Sequence, residues 1–329
     1  LSENRKKIKK IKKIKKEFNE TNSNIIKKNL PFILTEDQNK VIDEINIDLK
    51  SNNKMFRVLQ GDVGSGKTIV SLITAANVIE NNFQCALMAP TEILASQHFN
   101  LSKTIFKNTK IKISLLTGKV DVADRRKIIK DLENGKIDLL IGTHAIFQKK
   151  IIFKKLGFII IDEQHKFGVK QRMALSKKGG DNCDILLMSA TPIPRTMMLT
   201  IYGDMDISKI NKKPLNRKNI LTLSKPENKI DELWPFIKKQ LKNDNQIFWV
   251  CPLIEDSKFL DYSSAVKKFK IIEKRFPGKV GLIHGALEKS QKETLLKKFL
   301  KKEIKILVST TVIEVGIDFP NANLIIIEN

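Results

Sequence analysis

Eight residues, Gly61 to Thr68, constrain this chain more than any others: they read GDVGSGKT. The string fits Gly, four residues, Gly, Lys, then Ser or Thr, which is the pattern of a phosphate-binding loop. Gly61, Gly64 and Gly66 let the backbone turn tightly and bring its N–H groups inward around phosphate oxygens. Lys67 supplies a point charge for the outer phosphates, and Thr68 a hydroxyl for Mg²⁺. A chance Gly-rich turn would lack the context found here. Met55–Leu59 reads as a short strand, and Thr68–Glu80 carries apolar residues at helical spacing. A strand feeding a glycine loop that opens a helix puts phosphates at the positive end of the helix dipole.

Strand and helix signals alternate from there. Phe83–Met88 is a buried-strand run, followed by Ala89-Pro90-Thr91-Glu92 and a helix to about Phe106. Ile111–Leu116, Ile137–Ile141, Phe158–Ile161 and Ile185–Met188 read as further strands, with a helix at Arg125–Leu132. Near-continuous apolar strands in a βαβα rhythm predict a parallel sheet covered on both faces. The polar motifs follow the strand C-termini, where ligands bind in such sheets. The pattern breaks around Lys212–Lys218 and then restarts. Helices are predicted at Asp231–Leu241, Ser263–Phe276 and Ser290–Phe299, and strands at Ile247–Cys251, Val280–Ile283, Ile304–Val308 and Leu324–Ile327. This second α/β unit has no phosphate loop of its own.

With 329 residues, 41% of them hydrophobic, the chain is long enough for about two domains with real cores. Sixty Lys and Arg against 36 Asp and Glu leave a net charge of +24. Such a charge suits a polyanionic partner, nucleic acid or an anionic membrane surface, although the abundance of Lys, Ile and Asn also fits an AT-rich coding sequence. Cys85, Cys183 and Cys251 have neither zinc spacing nor a disulfide framework, so a reducing, cytoplasmic compartment is expected. No apolar run approaches the roughly 18 residues that span a bilayer, and the N-terminus has no signal-peptide core. The chain starts at Leu1 and stops just after Leu324–Ile327, so it reads as a piece of a longer protein.

Residues 1–30 are the most biased stretch. Ile8, Ile11, Ile14 and Phe18 fall within a sector of roughly 120° at helical spacing, compatible with a basic amphipathic helix. It would serve a membrane surface or nucleic acid, or act as a linker packing on another domain; the linker reading is favoured. Asn19–Asn24 reads as a loop. Thr35 is a plausible N-cap for a helix over Glu36–Lys50, with Gln38 at the capping-box position. Gln38 has a second reading: its amide offers a donor and an acceptor to the edge of an adenine.

Asp162 and Glu163 follow the apolar run Phe158–Ile161. A buried strand that delivers two carboxylates to the sheet edge holding a phosphate loop suits nucleotide hydrolysis. Asp162 would hold Mg²⁺ and Glu163 would orient or deprotonate the attacking water. A surface acidic pair capping the next helix is the plainer alternative, and the phosphate loop in the same sheet disfavours it. His98, His144, His165 and His284 lie in or beside these loops without metal-ligand spacing, so they are expected to hydrogen-bond loops to one another or to the γ-phosphate, with His98, one turn into a predicted helix, in a structural role alone.

The motif series resembles the superfamily 2 helicases, and within them the helicases of branched DNA. The matching segments are LPFILTEDQ, LQGDVGSGKT, LMAPTEILASQH, IGTHAIFQ, IIIDEQHKFGVKQR, LLMSATPIPRTMMLTIYGDMDISKI, FWVCPLIEDS, VGLIHGALEKSQKE and LVSTTVIEVGIDFPNANLIIIEN. The transcription-repair coupling translocases share much of this set, but Ser65 and Gln164 look more like the branched-DNA helicases.

The resemblance implies an α/β fold of two tandem RecA-like parallel-sheet domains with a P-loop nucleotide site. The implied division is a basic linker over 1–30, an ATP-binding domain over 31–213 and an incomplete second domain over 214–329. It also implies ATP and Mg²⁺ as cofactors. Phe32, Gln38, Gly61, Gly64, Ser65, Gly66, Lys67 and Thr68 would bind nucleotide, with Glu314, Gly316 and Asp318 closing from the second domain. Asp162, Glu163, Gln164 and His165 would run hydrolysis with Lys67, and Thr68 and Asp162 would hold Mg²⁺. Pro90, Thr91, Gly142, Thr143, His144, Thr310 and Thr311 would track DNA through its phosphates, while Ser189, Ala190 and Thr191 would couple the two events. The implied partner is DNA rather than a membrane, and a monomer is expected. The implied activity is 3′–5′ ATP-dependent remodelling of forks and junctions in recombination and repair.

Three departures qualify the match. Lys166 stands where the family usually has Arg, so any bidentate contact there is weakened. Asn216 replaces a Gly in the linker turn. Asn329 precedes the last helicase motif, with its arginine finger, and the wedge domain is absent; weak hydrolysis by this piece is therefore expected. A duplex-DNA translocase and a nucleotide-binding module without hydrolysis are the alternative readings.

Overall fold

The computed structural model describes residues 12–118, 120–163, 180–190, 205–212, 220–251, 258–310 and 317–328. Its contacts divide the chain into two units, Leu1–Lys218 and Asn219–Asn329.

The first unit begins with α1 (Thr21–Asn29) and α2 (Glu36–Lys50). Strands and helices then alternate: β1 (Phe56–Gly61), α3 (Lys67–Glu80), β2 (Gln84–Met88), α4 (Glu92–Ile105), β3 (Ile113–Leu116), α5 (Val122–Glu133) and β4 (Leu139–Gly142). Three strands follow, β5 (Leu156–Ile161), β6 (Asp184–Ser189) and β7 (Asp206–Ile210). They form one sheet in the order β3-β4-β2-β5-β6-β1-β7, with every neighbouring pair parallel. Strands β2, β4, β5 and β6 are buried along their whole length, as their unbroken apolar runs require. Alternate residues serve opposite faces. Ile160 packs with Ile42, Leu72 and Leu87 on one side, while Ile159 packs with Ala86, Leu140 and Leu187 on the other.

Because the strands are parallel, their C-terminal loops gather on one edge. The phosphate loop leaves β1, Pro90-Thr91 follows β2, Thr143-His144 follows β4, and Asp162-Glu163 follows β5. Strand β7 was not among the predicted strands. Its sequence, DISKI, is short and alternating, and it forms by pairing with β1 from Arg57↔Asp206 to Gly61↔Ile210.

The N-terminal segment differs from its reading. Residues 12–20 are not helical, and of the two described members of the apolar stripe Phe18 is buried while Ile14 is 59% exposed; Ile8 and Ile11 lie outside the described residues. The backbone instead runs beside the end of α2, with a bridge from Lys12 to Asn53 and Lys13 N–H donating to the Asn52 carbonyl at 2.8 Å. Lys13 and Lys16 turn inward and place both ammonium groups on Asp184 at 2.7 and 2.6 Å. A buried ion cluster has overridden the helical pattern. Helix α1 then forms where Asn19–Asn24 reads as a loop. The Glu80 carboxylate accepts the Asn19 and Asn22 N–H groups at its start, and Ile26 is fully buried.

The second unit holds α6 (Leu233–Lys242), β8 (Gln246–Val250), α7 (Lys258–Arg275), β9 (Val280–Ile283), α8 (Lys289–Leu300), β10 (Ile306–Ser309) and β11 (Ala322–Ile327). Its sheet is parallel throughout, in the order β11-β8-β10-β9. The core packs Trp249, Ile247, Ile306 and Val308 against Ile237 and Ile272, and the Trp234 and Trp249 rings stack at 5.5 Å. The helix expected from Asp231 starts at Leu233, after a 3₁₀ turn over Glu227–Glu232. Pro235 fixes that start, since proline is tolerated only in the first turn of a helix. Among the described residues, no helix is long and apolar enough to cross a membrane.

Candidate nucleotide site

Strand β1 hands the chain to the phosphate loop, and Gly66 caps α3 with φ +90°, a left-handed conformation that glycine adopts without a Cβ penalty. A Cβ there would lie 2.3 Å from Gln38 Nε2. Gly66 therefore serves both the turn and a close approach. Helix α3 runs 14 residues from Lys67, so the loop sits at a full helix N-terminus with free N–H groups.

Gln38 does two jobs at once. Its backbone N–H and side-chain Oε1 complete the capping box with Thr35, as expected. Its Nε2 then donates to the Ser65 carbonyl at 2.8 Å, tying α2 to the phosphate loop. An amide carries two N–H donors and two acceptor lone pairs, so one of each is left after these bonds. Phe32, at 40% exposure, lines a surface pocket of about 470 Å³ with Pro31, Ile33 and Leu34 just before α2.

Lys67 Nζ donates to the Gly61 carbonyl at 2.7 Å and the Asp62 carbonyl at 3.0 Å. Burial pushes its pKa down, while Asp162, Glu163 and Asp62 pull it back up. The lysine thus lies within electrostatic reach of both carboxylates of the acidic pair. Thr68 is half-buried at the start of α3.

Asp162 is clamped. Its N–H donates to the Met88 carbonyl at 2.8 Å, extending the β2–β5 pairing by one residue. Oδ1 accepts the Glu163 N–H at 3.0 Å, and Oδ2 accepts from His98 Nε2 at 2.8 Å. Glu163 is buried and has φ +47°, an uncommon conformation for a residue with a Cβ, of the sort that collects at functional sites. His98 was expected to be structural alone. It lies seven residues after Thr91 on α4, and its helical spacing from Leu94 and Ala95, buried on the same helix, marks a buried face.

The remaining described positions divide by burial. Thr91 is buried and caps α4, accepting the Leu94 N–H at 3.3 Å, and Pro90 beside it is half-buried. Gly142 packs against β3: a Cβ would lie 2.1 Å from the Leu116 carbonyl oxygen and 2.6 Å from Ile146 Cγ2. Thr143 is buried and His144 exposed. Ser189, fully buried, ends β6 beside Gln60, next to the phosphate loop, and Ala190 is half-buried. In the second unit, Thr310 is buried at the end of β10, and Asp318 is exposed before β11. Gln164, His165, Lys166, Thr191, Asn216, Thr311, Glu314 and Gly316 lie outside the described residues.

Comparison with known proteins agrees with this geometry. The family model described as DEAD/DEAH box helicase matches residues 35–199, and the helicase conserved C-terminal domain matches 228–329. ATP-dependent DNA helicase RecG of Thermotoga maritima is 46% identical over 304 residues, 92% of this chain and 39% of that protein. RecG of Bacillus subtilis is 44% identical over 302 residues, 91% of this chain and 44% of that protein. A solved structure of RecG bound to a three-way DNA junction superposes with a TM-score of 0.85 at 40% identity, covering 98% of this chain and 42% of that one. Mss116p bound to single-stranded RNA and a nucleotide analogue shares the fold, with a TM-score of 0.63 at 21% identity, over 93% of this chain and 66% of that one. The chain spans less than half the length of the curated RecG relatives it matches.

Proposed function

The chain belongs to the DEAD/DEAH box helicase family, and we propose that it is the motor of a RecG-like, ATP-dependent 3′–5′ DNA helicase. The observation that carries this reading is the phosphate loop and the acidic pair at one sheet edge, with Lys67 in the field of both Asp162 and Glu163.

The residues present fit Mg-ATP. Gly64 and Gly66 offer backbone N–H groups at the start of α3, while the Ser65 N–H donates to the Asp62 carbonyl at 3.1 Å, and Lys67 offers a cation. Phe32 and the remaining donor and acceptor of Gln38 suit an adenine. Thr68 and Asp162 would hold Mg²⁺, Asp162 with lone pairs left on both oxygens after its two bonds. When bound, the ion neutralises charge on the phosphate oxygens. Glu163 orients water and takes its proton. Gln164 and His165, next in the chain, and Glu314, Gly316 and Asp318 complete the site in this reading.

Pro90, Thr91, Gly142, Thr143, His144, Thr310 and Thr311 are proposed to face DNA. They are uncharged or weakly basic groups suited to sequence-independent phosphate contact. For Gly142 the packing against Leu116 makes that contact one of backbone alone. Ser189 ends the strand beside β1, and with Ala190 and Thr191, the next residues in the sequence, it is proposed to link the two functions. Two tandem RecA-like domains, over residues 31–213 and 214–329, a cytoplasmic setting and a monomer complete the reading. The RecG relative bound to a three-way junction supports branched DNA as the substrate class.

ATP hydrolysis by the protein should be measured with linear duplex, single-stranded and three-way-junction DNA. Stimulation greatest with the junction supports the proposal. Equal stimulation by linear duplex favours a duplex translocase, and no nucleotide binding at all removes the motor reading.

A further inference from the structure

We propose that His98 is a positioning residue: it fixes the Asp162 carboxylate and ties it to the helix that begins at the Pro90-Thr91 loop. The proposal rests on the nucleotide-site reading above and extends it to a residue with no role there.

Three observations carry it. First, Asp162 has one bond to each carboxylate oxygen, and they come from different sources. Oδ1 is held locally by the Glu163 N–H at 3.0 Å, whereas Oδ2 is held by His98 Nε2 at 2.8 Å, from 64 residues away. Without His98 the carboxylate keeps only the bond from its own neighbour, which leaves its outer oxygen free to rotate. Second, the pair is shielded: the two side chains are only 6% and 8% exposed, so water is a poor substitute for the lost partner. Third, α4 is a rigid carrier. Thr91 caps it, while Ile93, Leu94 and Ala95 anchor its first turn in the core. Seven residues separate Thr91 from His98, about two helical turns, so both lie on one side of the helix roughly 10 Å apart.

Strands β2 and β5 are neighbours, with Met88 opposite Ile161, so the loop before α4 and the acidic pair leave the sheet side by side. A small shift of α4, produced by nucleic acid seated at Pro90-Thr91, would therefore reach Asp162 through the His98 bond. The residue gives the acidic pair a direct mechanical link to the proposed DNA-facing loop. Residues that orient a metal ligand by such a bond typically matter about 10- to 100-fold for metal affinity.

The experiment compares wild type, His98→Ala, His98→Gln and Lys67→Ala by thermal melting and by titration with a fluorescent ATP analogue. Titrations are run at graded Mg²⁺, in EDTA, and with and without single-stranded DNA. His98→Ala is expected to need about 10-fold more Mg²⁺ for the same analogue affinity, with affinity in EDTA unchanged. It is also expected to lose the effect of DNA on analogue binding while still binding DNA. His98→Gln, which keeps an N–H near the Nε2 position, should recover most of both and serves as the folded variant if His98→Ala melts early. Wild-type Mg²⁺ dependence and DNA response in His98→Ala overturn the proposal, as does a His98→Gln protein that is folded but no better than His98→Ala. If Lys67→Ala binds the analogue as wild type does, the nucleotide-site reading itself fails, and the role of His98 falls with it.

Discussion

Gln38 and Ser65 are 27 residues apart in the chain and joined by a 2.8 Å hydrogen bond from the Gln38 amide to the Ser65 carbonyl. The same amide accepts the Thr35 N–H at 2.9 Å. One buried side chain therefore fixes the start of α2 and the inner wall of the phosphate loop together. A residue placed to cap a helix also sets the shape of the loop.

Replacing Gln38 should separate these tasks. Gln38→Ala removes the cap bond and leaves the Ser65 carbonyl without its partner, at a cost of about 1–3 kcal/mol in stability and weaker nucleotide binding. Gln38→Glu keeps an acceptor for Thr35 but turns an oxygen toward the Ser65 carbonyl. It should keep the helix cap but lose both the stability that the Ser65 bond supplies and affinity for nucleotide. Urea unfolding and analogue titration on the two variants check this; equal affinity in wild type and Gln38→Glu would show that the tether does not shape the loop.

Asp184 should be among the costliest surface-remote positions to alter. It holds the Lys13 and Lys16 ammonium groups and accepts the Met55 N–H at 2.7 Å, with all three side chains of the cluster fully buried. Burial pushes the Lys13 pKa down, and Asp184 opposes that. Asp184→Asn strands two buried cations and should cost about 3–5 kcal/mol, whereas Lys16→Met leaves Lys13 to pair and should cost less. Denaturant unfolding of the two variants measures the order. If Lys16→Met is the more damaging, the cluster is not held together by the carboxylate.

Acid should loosen the second unit at an identifiable point. Asp244 is exposed and accepts from Lys302 and from Lys305, the latter at 2.5 Å, and these bonds hold its pKa down to about 2 against an ordinary 3.8. A carboxyl whose folded pKa is depressed contributes stability above its unfolded value and loses it as pH falls through the folded one. The contribution is therefore present above about pH 4 and gone near pH 2. Asp244 has φ +61°, which asparagine tolerates, so Asp244→Asn is a clean probe. Its melting temperature should fall below wild type at pH 7, by less at high salt, and meet the wild-type curve near pH 2. A gap that persists at pH 2 would assign the effect to something other than charge.

What could be read in advance follows from the range of the interactions involved. The phosphate loop, the capping box and the buried strands rest on local patterns, and each stands where its pattern places it. The N-terminal segment shows the limit. Its Ile stripe at helical spacing is a local signal, but Lys13 and Lys16 are committed to Asp184 more than 160 residues away, and no window of sequence contains that pair. His98 is the counterpart in the site. Its spacing on α4 marks a buried face, but only the adjacency of β2 and β5 brings it to Asp162. Gly142 teaches a third lesson: a glycine inside a motif suggests a ligand, while the Leu116 carbonyl 2.1 Å from its virtual Cβ accounts for it by packing.

The most direct test of the motor account is Glu163→Gln. The substitution keeps the size of a buried side chain whose backbone is already in an uncommon conformation, and removes only the carboxylate proposed to take a proton from water. ATP-analogue affinity in the presence of Mg²⁺ should stay within a few-fold of wild type while DNA-stimulated ATP hydrolysis falls by about 10²-fold or more. Hydrolysis at the wild-type rate, with DNA still stimulating it, would contradict the account.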